Sequence, residues 1–93
     1  MKLVCTDEAI EDLKRLREFI EVHNPSAAAK IAAELVGKIG LLPDFPKMGT
    51  PVEMAPVPDS VRDMVFGKYV VRYSLHASAI IILRVWHGLA GER

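Results

Sequence analysis

The spacing of apolar residues changes once along the chain, and this change constrains the fold more than any other feature. Up to residue 42, apolar side chains recur every three or four positions, as on one face of an α-helix. From Val61 onwards, isoleucine, valine and tyrosine fill short runs that are typical of β-strands. The sequence therefore predicts an α+β fold in which the helices precede most of the strands.

Two helices are predicted in the first half. Thr6 suits a helix N-cap, and Ile10, Leu13 and Ile20 lie on one face of a first helix of about four to five turns. Asn24-Pro25 ends this helix and suits the cap and first position of the next one. The second apolar stripe consists of Ala28, Ile31, Leu35, Ile39 and Leu42. Because the break is short, the two helices are expected to form an antiparallel hairpin.

The strand predictions complete the fold. Lys2–Cys5 is expected to be a short opening strand, and the proline-rich residues 43–60 a long connector. Val61–Phe66 and Tyr69–Leu75 flank Gly67-Lys68 as a β-hairpin, and Ala79–His87 is the last strand. The predicted order is β-α-α-β-β-β, with the helical hairpin packed on one face of a mostly antiparallel sheet.

Strict alternation along the last strand predicts which side chains share a face. One set is expected to face the helices: Ile81, Leu83, Val85 and His87. The other set is expected to face away: Ile80, Ile82, Arg84 and Trp86. A stacked Arg84–Trp86 pair is therefore predicted, either as an exposed contact platform or packed under the connector.

Length and composition limit the class of protein. A chain of 93 residues is expected to form one domain, 1–93. Twelve basic and twelve acidic residues cancel, so no overall field draws the chain to nucleic acid. The single cysteine, Cys5, excludes an internal disulfide and is expected to be buried and inert, which fits a reducing cytoplasm. Neither a metal-ligand spacing, a signal peptide nor a membrane-spanning run is expected.

The charge is not evenly distributed. Between residues 61 and 87, Arg62, Lys68, Arg72 and Arg84 oppose the single acid Asp63, which gives a local charge of 4 − 1 = +3. This excess is explained equally well by a solvated sheet face and by a binding patch.

Several short motifs occur in a characteristic order. They are Ala9 with Asp12-Leu13, Asn24-Pro25, Leu42-Pro43-Asp44-Phe45-Pro46 with Gly49, Arg62, Tyr73, and Leu83-Arg84-Val85-Trp86-His87-Gly88. In this order and spacing the chain resembles the RelE/ParE superfamily of bacterial toxins, with the last segment as the most telling. The resemblance implies a toxin of a type II toxin–antitoxin (plasmid stabilisation) system that inhibits growth until a cognate antitoxin binds it.

The superfamily has two branches with different mechanisms. RelE-like proteins are ribosome-dependent endonucleases of mRNA, whereas ParE-like proteins inhibit DNA gyrase and are not enzymes. The resemblance to RelE implies basic residues that this chain lacks, because Val70 and Met64 stand at two of their places and Gly88 and Leu89 follow the last strand. The ParE-like branch is therefore favoured, with no catalytic residue, cofactor or metal and with DNA gyrase as the target.

Each candidate residue also has an ordinary structural explanation. For a ribonuclease, His87 would be the general acid or base, while Arg84 and Arg62 would bind phosphate. For a binding protein, the contact residues would be Arg62, Arg72, Arg84 and Trp86. If these residues serve only the fold, Arg62 is expected to bind a loop carbonyl or carboxylate and His87 to make a structural hydrogen bond. Tyr73 is then expected to lie in the core with its hydroxyl hydrogen-bonded. The expected partners are a cognate antitoxin and a cellular target, which is DNA gyrase or, alternatively, the ribosome with mRNA. The toxin is expected to form a homodimer or a toxin–antitoxin hetero-oligomer.

Overall fold

The computed structural model describes residues 1–53, 55–57 and 59–88. Leu89 and the C-terminal end of the predicted domain lie outside the described residues. The elements are β1 Lys2–Cys5, α1 Asp7–His23, α2 Pro25–Ile39, β2 Thr50–Pro51, β3 Val61–Phe66, β4 Tyr69–Leu75 and β5 Ala79–His87. The predicted α+β order is confirmed, with one two-residue strand, β2, added inside the connector. Across the described residues, none of the helices is long and apolar enough to cross a membrane.

The ends of the two helices follow from local hydrogen bonding. Thr6 is the N-cap of α1, and its Oγ1 accepts a hydrogen bond from the backbone N–H of Ala9 at 3.0 Å. Asn24 is the N-cap residue of α2 and Pro25 its first residue, as predicted, although the Asn24 side chain makes no capping hydrogen bond. Its backbone N–H donates to the Ile20 carbonyl and so closes α1, and its Oδ1 accepts from the Ser26 hydroxyl. The single residue between the helices therefore serves both, because its N–H closes α1 and its carbonyl accepts the N–H of Ala27 in α2.

The five strands form one sheet in the order β1-β5-β4-β3-β2. β1 runs parallel to β5, and the other neighbours are antiparallel. The core lies between the helical hairpin and one face of the sheet, which we call the helix face. It contains Ala9, Leu35, Ile39, Leu42, Met64, Val71, Tyr73, Ile80, Ile82 and Val85. The opposite face is called the open face and carries Asp63, Val65, Val70, Arg72 and Trp86.

The predicted alternation along β5 is wrong for its first half. Tyr73 lies opposite Ile82 while Arg72 lies opposite Arg84, so Leu83 is an extra residue in a β-bulge. The bulge reverses the alternation: Ile80 and Ile82 lie in the core before it, and Val85 lies in the core after it. Because a bulge leaves no mark in the pattern of apolar residues, strict alternation could not reveal it.

Candidate functional site

The junction between α1 and β5 closes one edge of the sheet. β1 ends where Cys5 lies opposite Ile82, so within the described part of the chain the rest of β5 has no strand on that side. Thr6 takes over there: its N–H donates to the Ile82 carbonyl, and its hydroxyl donates to the Leu83 carbonyl at 3.0 Å. The carboxylate of Asp12 then accepts the N–H of Val85 at 2.9 Å. The first turns of α1 thereby bind the backbone groups that β1 leaves exposed.

Asp12 and Arg84 form a two-pronged ion pair at the same junction. Nε of Arg84 donates to Oδ2 at 2.7 Å, and Nη2 donates to Oδ1 at 3.0 Å. Burial alone would raise the pKa of the Asp12 carboxyl, but hydrogen bonds from Arg84 and Val85 and the charges of Arg84 and Arg15 lower it. The hydrogen bond to Asp12 raises the pKa of Arg84, so both groups keep their charges.

A second cluster fastens the connector to the helix face. The buried Tyr73 hydroxyl donates to the Pro46 carbonyl at 2.7 Å and accepts the N–H of Gly49 at 2.9 Å. Nε of Arg62, which is also buried, donates to the Gly49 carbonyl at 2.9 Å, and its Nη1 lies 3.8 Å from the Asp59 carboxylate. The contact of Arg62 with a loop carbonyl and the bonded, buried hydroxyl of Tyr73 are both as expected from the sequence.

Position 49 must be glycine for this cluster to form. A Cβ there would lie 2.8 Å from the Asp63 carbonyl oxygen and 3.0 Å from the ring of Tyr73. Both distances are below ordinary contact, so the connector approaches β3 as closely as a backbone can.

Arg72 and Trp86 occupy the open face. The guanidinium of Arg72 makes two hydrogen bonds to the Asp63 carboxylate, at 2.8 and 2.9 Å, and lies 5.2 Å from the centre of the Trp86 ring. Trp86 is only 7% exposed. The predicted stack of Arg84 on Trp86 is therefore wrong: Arg72 holds the ring, because Arg84 is bound to Asp12.

An apolar row crosses the open face beside this pair. The strand register places Val65 opposite Val70, and Val70 opposite Trp86. The row lines a shallow cavity of about 510 Å³ together with Thr50, Pro51, Val52, Glu53, Asp63, Arg72 and Gly88. Val65, at the outer strand, is 70% exposed. This surface combines the apolar row with the ion pair of Arg72 and Asp63 and with one further acid, Glu53.

His87 lies at the end of β5 and away from the open face. It follows Val85 by two residues and so points to the helix face, where its ring meets Tyr69 edge-on at 5.4 Å between centroids. In the register, Arg62 lies opposite Tyr73, whereas His87 lies opposite Tyr69. These two rows are four residues apart on β4, or about 13 Å at the usual strand rise.

The structure therefore does not bring the three predicted catalytic residues together. Arg62 holds the connector, Arg84 holds α1, and His87 packs against Tyr69. The described residues also include no group of three or more histidine, cysteine or acidic side chains suited to a metal ion. Cys5 is half-buried, and burial raises the pKa of its thiol, which keeps it in the unreactive protonated form.

Two acidic residues that bind the predicted site arginines were missed by the sequence analysis. Asp63 is the partner of Arg72, and the hairpin register would have revealed it, because a turn at Gly67-Lys68 places residues 63 and 72 opposite each other. Asp12 was noted as part of a motif without a partner. Its partner is 72 positions away, and no local pattern connects the two.

Comparison with known proteins agrees with this architecture. Residues 3–89 match the model of a family described as the ParE toxin of the type II toxin–antitoxin system parDE. The chain belongs to this ParE toxin family. It is 32% identical to Toxin RelE1 of Caulobacter vibrioides over 83 residues, which is 87% of this chain and 86% of that protein. It is thus a toxin of the type II toxin–antitoxin class.

Two solved structures share the ParE toxin fold. The chromosomal ParDE system of P. aeruginosa has a TM-score of 0.79 at 24% identity, over 94% of this chain and 95% of that one. The RelBE2 toxin–antitoxin complex of Mycobacterium tuberculosis has a TM-score of 0.70 at 24% identity, over 92% and 95%. The motifs that first indicated this fold (Asp12 with Arg84, and Gly49 with Arg62 and Tyr73) are the ones that fasten helix and connector to the sheet.

Proposed function

We propose that this toxin acts in the cytoplasm by binding DNA gyrase through its open face, and that a cognate antitoxin keeps it inactive. The observation that carries the proposal is the apolar row Val65–Val70–Trp86. Beside this row, Arg72 is held in a fixed orientation by its ion pair with Asp63. An apolar surface with oriented polar groups at its side suits contact with a protein.

The arrangement of the basic residues argues against RNA cleavage. Such a reaction needs a base, an acid and cations converging on one phosphate. Here Val70 occupies the open face where the ribonuclease branch is expected to carry an arginine, and Met64 is buried in the core. Of the four predicted partner-binding residues, Arg72 and Trp86 lie on the proposed contact surface, while Arg62 and Arg84 support the scaffold behind it.

The proposal is tested by adding the purified toxin to gyrase in a supercoiling assay. The wild-type toxin is expected to inhibit at micromolar concentration, and Val65→Glu is expected to lose inhibition because it places a charge in the apolar row. Val36→Glu is the matched control, since Val36 is similarly exposed but lies on α2. Normal supercoiling with the wild-type toxin would overturn the proposal.

The alternative is a ribosome-dependent mRNA endonuclease. One observation favours it: the relative at 32% identity is named RelE1. In that case His87 would be the proton-transfer group, and Arg84 and Arg62 would bind the substrate. Cleavage of mRNA on purified ribosomes that is lost in His87→Ala but kept in His76→Ala would establish this activity.

A further inference from the structure

β1 lies at one end of the sheet, and no strand of the described residues lies on its outer side. The N–H groups of Lys2 and Thr6 donate to carbonyl oxygens on the β5 side, at 3.0 Å each. Because successive residues of a strand direct their backbone groups alternately to its two sides, the residues between these two include some that point the other way. Leu3 and Cys5 therefore present their N–H and C=O groups outward, as a template for another strand.

The side chains of β1 alternate between the two faces of the sheet. Leu3 and Cys5 pack against the core on the helix face. Val4 lies on the open face, where the register places it opposite Ile81. Its side chain is 37% exposed. The outer edge of β1 thus combines outward backbone groups with an apolar side chain that the sheet covers only in part.

A second copy of β1 can pair with this edge when the two strands run antiparallel. Outward-facing residues must then lie opposite each other, because such pairs exchange their N–H and C=O hydrogen bonds. Leu3 of each copy opposite Cys5 of the other meets this condition twice and gives a two-fold symmetric pair of strands. The two-fold axis passes between the two Val4 residues, whose Cα atoms are then about 4.5 Å apart, as in any non-hydrogen-bonded pair.

The charges at the two ends of β1 are opposite and favour this register. Lys2 is exposed at its start, while Asp7 and Glu8 are exposed just beyond its end, in the first turn of α1. With Val4 on the axis, Lys2 of each copy lies opposite Thr6 of the other and beside these acids. An axis one residue earlier would make the two lysines diagonal neighbours about 7–8 Å apart, and like charges disfavour this. An axis one residue later would leave one pair of hydrogen-bonding residues in place of two.

We propose that the toxin associates with a second copy of itself through β1, as a two-fold dimer with the two strands antiparallel and Val4 on the axis. The axis is perpendicular to the sheet, so both open faces lie on the same side of one continuous sheet. The apolar row Val65–Val70–Trp86 lies on β3, β4 and the far end of β5 and stays uncovered. The dimer therefore presents this row twice, and its formation does not depend on what the row binds.

Disulfide trapping tests both the association and its register. Val4→Cys in a Cys5→Ser background places two thiols across the axis, within the range of Cα distances that a disulfide bridges. Val36→Cys in the same background is the matched control for chance collisions, since Val36 is an exposed valine on α2. Mild oxidation is expected to give at least about tenfold more covalent dimer for Val4→Cys than for Val36→Cys.

The wild-type chain is the control for register. Its two Cys5 residues would be diagonal neighbours about 7–8 Å apart, which is too far for a disulfide. The wild type is therefore expected to stay uncrosslinked under the same oxidation. Efficient crosslinking of the wild type through Cys5 would overturn the proposed register, and equal crosslinking of Val4→Cys and Val36→Cys would overturn the association.

Reversible association is measured by sedimentation equilibrium without any crosslink. Val4→Glu places two like charges opposite each other and is expected to weaken dimerisation about tenfold, whereas Val4→Thr is expected to stay within about threefold of wild type. Circular dichroism shows whether each variant is folded. A wild-type toxin that is monomeric at all concentrations, or a folded Val4→Glu that dimerises as well as wild type, would overturn the inference. Neither readout uses gyrase, so a failure of the proposed function would be seen separately in the supercoiling assay.

Discussion

Replacing Asp12 by alanine tests whether the junction of α1 and β5 holds the fold together. The carboxylate is 5% exposed and accepts three hydrogen bonds, two from Arg84 and one from the N–H of Val85. Without it, the Val85 N–H is left buried and unpaired, which costs about 1–3 kcal/mol. The side chain of Arg84 is 34% exposed, so it can return to water, and its lost ion pair adds only about 1 kcal/mol.

The expected loss in the free energy of unfolding is therefore about 2–4 kcal/mol. For a domain of this size it corresponds to a fall in Tm of roughly 10–25 °C. Urea denaturation followed by circular dichroism measures the loss directly. Glu11→Ala is the matched control, because Glu11 lies on the same helix in an exposed pair with Lys14 and is worth less than about 0.5 kcal/mol.

The stability that Asp12 contributes is expected to depend on pH, and the direction follows from its pKa. The folded protein lowers the pKa of Asp12, so the unfolded chain takes up a proton first as the pH falls. The contribution of Asp12 to the free energy of unfolding is complete above about pH 4, the ordinary pKa of an aspartate. It is lost as the pH falls below that value and through the lower pKa that Asp12 has in the folded protein. The reasoning is refuted if Asp12→Ala is as stable as Glu11→Ala at neutral pH, or if the difference between them persists unchanged into acid.

Three further predictions concern the connector and the open face. Tyr73→Phe leaves the buried N–H of Gly49 unpaired and is expected to lower stability by about 1–3 kcal/mol in urea denaturation. Gly49→Ala is expected to destabilise by about 1–3 kcal/mol through its clash with β3, whereas Gly37→Ala, which meets nothing within 4 Å, should stabilise α2 by about 0.5–1 kcal/mol. Arg72→Ala uncovers Trp86, the only tryptophan, and should shift its fluorescence to longer wavelength and increase quenching by iodide; an unchanged spectrum would show that Arg72 does not shield the ring.

The fold was largely predictable because its local signals agree with one another. Thr6 caps α1, Pro25 begins α2, and Gly67, with a φ of 58°, makes the turn between β3 and β4. These signals act within a few residues and need no tertiary information. β2 was not predicted, because a strand of two residues has no period, and its pairing depends on where the connector is held.

The side-chain partners were less predictable. Arg84 was expected to stack on Trp86, but its guanidinium is bound by the carboxylate of Asp12 instead. That carboxylate lies on α1, outside the strand's own sequence. Arg72 takes the place on Trp86, and its partner Asp63 follows from the register of a hairpin that the sequence did predict. Pairs within the hairpin were therefore accessible from the sequence, whereas pairs between α1 and β5 were not.

The structure gives the motif residues a role in holding the fold together. Asp12, Gly49, Arg62, Tyr73 and Arg84 are polar or unusual residues at defined spacings, which is also how a catalytic site would be marked in a sequence. Each is instead used by a contact that fastens α1 or the connector to the sheet. Such contacts hold the architecture together whatever the chain binds, so these residues identify the fold and not the target. Evidence on the target has to come from residues that the scaffold does not use, such as those on the open face. There the apolar row of Val65, Val70 and Trp86 favours the binding of a protein over the cleavage of RNA.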